Sequence, residues 1–146
     1  MVYYGKFSTS SNDEIERLAL IKTWLLSMIN NWHPDHIGIE GIQFQEEGQG
    51  QKMGVTVFQT LAHLQGILML TCHEEKIPFT ICPTNTWRHE CGVKGKTRSD
   101  KKRSMQLLAK QWYDITLSDD EADAVGIGTY LTGRIRRNTE VTNWEI

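Results

Sequence analysis

The 146-residue sequence predicts an α/β domain built from parallel strands and crossover helices. Short strand-like runs alternate with long stretches of helical apolar spacing, and most of the strand-like runs stop at an acid or a proline. No repeat or linker-like stretch divides the chain, so a single domain over residues 1–146 is expected. The composition, 39% apolar and 23% charged, is that of a soluble globular protein. No apolar run approaches the ~20 residues of a membrane span. The opening "MVYYGKFSTSS" lacks the basic start and apolar core of a secretory leader.

The elements follow in order. Val2 to Phe7 alternates and is rich in aromatics, which predicts a strand. Asn12 to Trp32 opens with cap residues and acids, and Ile15, Leu18, Ile21, Leu25, Met28 and Ile29 recur at helical spacing, so a helix is expected there. Pro34 ends it. His36 to Ile39 is a short apolar strand that ends on Glu40, and "QEEGQGQKMG" is a polar, glycine-rich loop. Val57, Phe58, Leu61, Leu64, Leu68 and Met69 mark a second long helix. Pro78 to Cys82 is strand-like and stops at Pro83. A third helix runs from about Arg98 to Trp112, and a fourth begins after Ser118.

The fourth helix holds the most informative stretch, "SDDEADAVGIGTYL". Ser118 and Glu121 have capping-box spacing, which puts Asp119, Asp120 and Glu121 in the first turn, where the helix dipole favours acids. Asp120 and Asp123 are three apart and share a face. Asp123 sits among small apolar residues, where an unpaired carboxylate is costly, and a metal ion is the simplest counter-charge. Upstream, "RHECGVKGKTRSDKKRSMQLLAK" carries eight Lys or Arg against two acids, although the net charge of the chain is only −2. This segment has the character of a phosphate-binding surface. In open α/β sheets ligands sit beyond the carboxyl ends of the strands, and Glu40 lies at one of those ends. Glu40, Asp120 and Asp123 beside a basic segment suggest a site for a hard divalent ion acting on phosphodiesters.

The remaining candidates are ordinary. Cys72, Cys82 and Cys91 are odd in number and lack the spacing of a zinc site, which favours a reducing compartment. His33 and His36 flank Pro34 and fit a turn.

"HPDHIGIE", "VFQTLAHLQGIL", "IPFTICPTNTWR", "GVKGKTRSDKK" and "DDEADAVGIGTYL" resemble, in order and spacing, the RuvC-type Holliday junction resolvases, especially the small versions carried by bacteriophages. The resemblance runs from about Val2 to Gly133. It implies an RNase H-like fold and a cytoplasmic homodimer that cuts four-way junction DNA with Mg²⁺ or Mn²⁺ in a two-ion site, without a membrane or a small-molecule cofactor. It assigns Glu40, Asp120 and Asp123 to the metal and Lys101 to catalysis, with Lys102 as the alternative. Lys101 falls where the family has a basic residue shortly before the third helix. Arg88 falls near another basic position, and Phe44 corresponds to an aromatic that stacks on a junction base. Lys94, Lys96, Arg98, Lys102 and Arg103 complete the expected DNA-binding set, and the Val57–Met69 helix is the implied dimer contact.

One departure concerns the start of the family pattern. The resemblance implies a first strand bearing an Asp and a second strand paired to it, in a sheet of order 3-2-1-4-5, and neither is present in this sequence. Val2–Phe7 matches the third strand. Truncation is the expected origin, with donation of strands by another polypeptide as an alternative; the expected sheet is either partly open or one in which Val2–Phe7 has moved to the central position. Three further readings accompany the nuclease: a catalytically impaired junction-binding protein, another RNase H-like nuclease acting on RNA or transposon ends, and a purely structural protein without affinity for DNA.

Overall fold

A computed structural model describes residues 2–43 and 54–142, with side chains in the last helix described as far as residue 134. The chain divides into two compact units, Phe7–Pro83 and Met1–Lys6 with Thr84–Ile146.

The first unit holds α1 (Glu14–Trp32), β1 (Ile37–Glu40), α2 (Val55–Glu74) and β2 (Phe79–Cys82). Asp13 caps α1 by accepting from Glu16 N at 2.7 Å. The helix ends at His33, which adopts a left-handed φ of 45° and donates its N–H to Ile29 O, and Pro34 then prevents continuation. β1 and β2 pair in parallel, with Ile37 opposite Phe79 and Glu40 opposite Cys82. Gly41 N donates to Cys82 O at 2.8 Å and carries the ladder past the strand end. Across the pair, His36 Nε2 lies 2.8 Å from Thr80 Oγ1, which ties the residue before β1 to β2. α1 packs on α2, with Lys22 on Glu74 at 2.9 Å and Glu14 on His63 at 2.8 Å. Leu25, Ile29, Ile39, Thr71, Cys72 and Cys82 are buried, and Thr71 satisfies its hydroxyl on Ile67 O.

Two expectations need correction. Residues 2–10 form no strand, and among the described residues the sheet holds β1 and β2 alone, so Val2–Phe7 has not moved into a central position. Of the aromatics there, Phe7 stacks on Trp24 of α1 with ring centroids 5.2 Å apart, while Tyr3 and Tyr4 are exposed. The second correction concerns α2. With 20 residues and a mean hydropathy of 1.4, it is long and apolar enough to cross a membrane by length and composition, yet only 11% of that stretch is buried. Gln59, His63 and Gln65 interrupt its apolar run in sequence, so no unbroken apolar stretch of that length exists there.

The second unit packs α3 (Thr84–Cys91) and α4 (Arg98–Tyr113) against α5 (Asp119–Thr142). α3 was not expected. Eight residues with a single buried apolar side chain, Trp87, make no periodic signal. Gly92, at φ 78°, closes α3 with its N–H on His89 O. Gly95, at φ 137°, passes so close to α4 that an added Cβ would lie 2.4 Å from Asp100 Cβ. Thr97 and Asp100 then form a reciprocal capping box at 3.1 and 3.0 Å. Trp87, Met105, Ala109, Leu117, Ala122, Val125, Ile127, Tyr130 and Leu131 form the core. α5 is therefore small-sided without being surrounded, because Ala124 and Gly128 face solvent.

Candidate functional site

The first two turns of α5 carry four carboxylates, and each has a different partner. Glu121 accepts from Ser118 N at 3.0 Å and Ser118 Oγ at 2.7 Å, which holds its carboxyl below the usual range and commits it to capping. Asp119 accepts from Lys102 Nζ at 2.9 Å and Gln106 Nε2 at 3.2 Å, and Gln106 also donates to Leu117 O. These bonds tie α4 to the start of α5. Asp120 pairs with Lys6 at 3.1 Å, both side chains being well exposed. Asp123 accepts from Arg88 Nη2 at 3.0 Å, with side-chain exposures of 19% for Arg88 and 15% for Asp123.

Positive charge does reach buried Asp123, as its burial requires, and in this structure it comes from Arg88, a guanidinium delivered by α3. Burial pushes the Asp123 carboxyl above its ordinary value, with Arg88 and then Lys102 opposing the shift. The pairing is incomplete. Asp123 Oδ1 and Arg88 Nε are buried without a hydrogen-bond partner, as is Trp87 Nε1. The Arg88 guanidinium carbon lies 5.2 Å from the centroid of the neighbouring Trp87 ring.

The basic residues surround the start of α4. Lys101 is in its first turn rather than before the helix, and is half-buried, as is Lys102. Lys94, Lys96, Arg98 and Arg103 are exposed, and Lys94 N donates to Ser104 Oγ at 2.9 Å, which folds the α3–α4 connection back onto α4. Glu40 is the exposed last residue of β1, in the other unit. Phe44 lies outside the described residues.

A hard divalent ion fits the donors at the start of α5: Asp120 and Asp123 supply carboxylate oxygens, and Asp123 Oδ1 is a buried acceptor with nothing to accept from. Among the described residues no three His, Cys, Asp or Glu side chains assemble into a metal-holding group. Substrate phosphate oxygens are the usual further ligands of Mg²⁺ sites with one or two carboxylates. Residues 2–5, Tyr113 and the exposed face of α5 also enclose a cleft of about 810 Å³.

Sequence reasoning missed Lys6, because it sits in a segment that reads as a strand, and it missed the Asp119–Lys102–Gln106 ties. The spacing of Lys102 and Gln106 on one helix face was the available signal for the latter.

Among solved structures, the chain is similar to a Thermus thermophilus RuvC in complex with a Holliday junction substrate, with a TM-score of 0.70 and 14% identity over 91% of this chain and 77% of that one. A second T. thermophilus RuvC structure matches with a TM-score of 0.69 and 15% identity, over 94% of this chain and 80% of that one. No family model and no curated protein matches. The fold, which among the described residues comprises a small parallel sheet and five helices, is therefore similar to that of RuvC.

Proposed function

We propose that the chain is a structure-selective endonuclease that cleaves four-way DNA junctions with Mg²⁺ or Mn²⁺. The carrying observation is the Asp120/Asp123 pair at the start of α5, with its unpartnered buried oxygen, beside a cationic α3–α4 segment in a RuvC-like fold. Asp120 and Asp123 hold the ion. Glu40 is the third carboxylate that the sequence resemblance assigns to it.

A bound divalent ion supplies Lewis-acid stabilisation of phosphodiester hydrolysis. The chain's own residues do the rest. Lys101 places positive charge where the transition state gains negative charge, and Arg88 holds the Asp123 carboxylate in place through its Nη2. Lys94, Lys96, Arg98 and Arg103 hold the DNA backbone by charge, which gives binding that weakens with salt. Val55, Val57, Met69 and Leu70 are exposed apolar residues of α2, and covering them by a second copy of the chain provides the homodimer that symmetric cutting requires.

One observation favours a second reading, a junction-binding protein that does not cut: both candidate ligands already carry a cation, Lys6 on Asp120 and Arg88 on Asp123. A substrate panel with Mn²⁺ separates the readings. The nuclease reading expects paired nicks in four-way junctions, little cutting of linear duplex or RNA–DNA hybrid, and loss of cutting in Glu40→Gln and Asp123→Asn. Salt-sensitive junction binding with no nicks at any Mn²⁺ concentration supports the second reading. Preferential cutting of the hybrid points to an RNA-directed relative.

A further inference from the structure

Asp120 and Asp123 can share an ion only if the start of α5 holds them at a fixed spacing, and a helix start is where that is hardest. The N–H groups of a first turn lack intrahelical partners, and here the turn also carries Asp119, Asp120 and Glu121, with Asp123 just beyond it. Asp120 pairs with Lys6 at an exposed site, so its placement rests mainly on the backbone of the turn. That turn is held from outside by α4. Met105 and Ala109 bury one side of α4 in the core, while Lys102 and Gln106, one turn apart, reach across to α5. Gln106 Nε2 donates to Leu117 O at 3.0 Å and to Asp119 Oδ1 at 3.2 Å, and Lys102 Nζ donates to Asp119 Oδ2 at 2.9 Å. Each oxygen of Asp119 thus has its own donor, and Leu117 is itself buried.

We propose that Gln106 is a positioning residue for the metal pair: with Lys102 it clamps Leu117 and Asp119 to α4, and so fixes where Asp120 and, one turn on, Asp123 meet the ion. The proposal rests on the reading of Asp120 and Asp123 as metal ligands and adds the support that their geometry needs. Asp119 is then the attachment point of the turn rather than a further ligand, because both of its oxygens face donors from α4. Gln106 is the informative member of the clamp because it is neutral. Its removal changes the geometry of the turn without changing the charge of the site. Removal of Lys102 would also take away a cation whose charge reaches Asp123, and this alone would strengthen the binding of another cation.

The test uses the full chain at a temperature where circular dichroism shows every variant folded. Mn²⁺ binding without DNA is followed by the electron paramagnetic resonance signal of the free ion in wild type, Gln106→Met, Gln106→Asn, Asp119→Ala, the double variant Gln106→Met/Asp119→Ala, and Asp123→Asn. Binding of a four-way junction without metal is measured beside it. Gln106→Met is expected to bind Mn²⁺ about tenfold more weakly, the lower end of what loss of an outer hydrogen-bond partner costs a metal site. Gln106→Asn, one methylene too short to reach both acceptors, falls between it and wild type. In the Asp119→Ala background the loss of Gln106 costs less than about threefold, because the attachment it acts through is gone. Junction binding without metal, which depends on charge, stays within about twofold of wild type. Wild-type Mn²⁺ affinity in both Gln106 variants, an equal cost in the two backgrounds, or a parallel loss of metal-free junction binding overturns the positioning role, and binding that is still lost in Asp123→Asn leaves the metal pair standing. Absence of Mn²⁺ binding in wild type overturns both.

Discussion

Replacing Gly126 with alanine puts a methyl group into the tightest point of the helical unit. A Cβ built there lies 2.8 Å from Met105 Sδ and 2.8 Å from Trp87 Cζ3, and both neighbours are fully buried. Met105 can bend, but the Trp87 ring has no room to turn. Overpacking of this kind costs roughly 1–3 kcal/mol. Alanine in a helix interior recovers about 1 kcal/mol relative to glycine. Gly128 supplies the control, since it lies two residues further along the same helix and has no atom within 4 Å of an added Cβ. The propensity gain is common to both substitutions and cancels in their difference, which leaves the steric cost of roughly 1–3 kcal/mol. For a chain of this size that separates the two melting temperatures by about 3–10 °C, Gly128→Ala above wild type and Gly126→Ala at or below it. Thermal unfolding followed by circular dichroism reads the gap. If Gly126→Ala melts together with or above Gly128→Ala, the close packing of α3, α4 and α5 through Trp87 and Met105 is wrong.

Other outcomes follow from the same contacts. Arg88→Met leaves Asp123 buried and unpaired and lowers stability by about 2–4 kcal/mol, whereas the double variant Arg88→Met/Asp123→Leu recovers much of the loss; chemical denaturation of the single and double variants contradicts the pair if their effects simply add. Asp100 has its carboxyl lowered by hydrogen bonds from Thr97, first from its backbone and then from its side chain. The stability advantage of wild type over Asp100→Asn is therefore full above the ordinary aspartate pKa near ~3.9 and disappears as pH falls through the depressed folded value. Melting curves of both proteins between pH 2 and pH 6 check that sign, and an advantage that grows on acidification contradicts it. Removing any one of Lys94, Lys96, Arg98 or Arg103 reduces the salt slope of junction binding by roughly one unit without changing which junction sequence is preferred. A slope unchanged in all four variants places the DNA elsewhere.

Most of the scaffold is legible in the sequence because its signals are local. Asp13, Thr97 and Ser118 mark the starts of α1, α4 and α5 through side-chain caps that need only neighbouring residues, and Pro34 and Pro83 mark element ends in the same way. α3 escapes because its eight residues are organised by one buried tryptophan that meets α5 far along the chain. Val2–Phe7 misleads for the opposite reason: its aromatic pattern is real but no strand pairs with it, and Phe7 stacks on Trp24 instead. The carboxylates and cations of the site are readable as residue types, and Asp120, Asp123 and Arg88 stand out. Their pairing is not readable. Arg88 reaches Asp123 across 35 positions, and which cation meets which carboxylate depends on where α3 and residues 2–6 settle against α5. The cost of burying Asp123 does follow from its apolar surroundings, but that argument fixes the need for positive charge and leaves its source open.

The most direct measurement is to locate the ion. Backbone amide spectra of the full chain are recorded during a Mn²⁺ titration, in wild type and in Asp123→Asn, with a four-way junction present. Paramagnetic broadening that begins at residues 119–124 and is lost in Asp123→Asn is the predicted result. Broadening absent from those residues, or unchanged by the substitution, contradicts the assignment of Asp120 and Asp123 as the metal-holding pair.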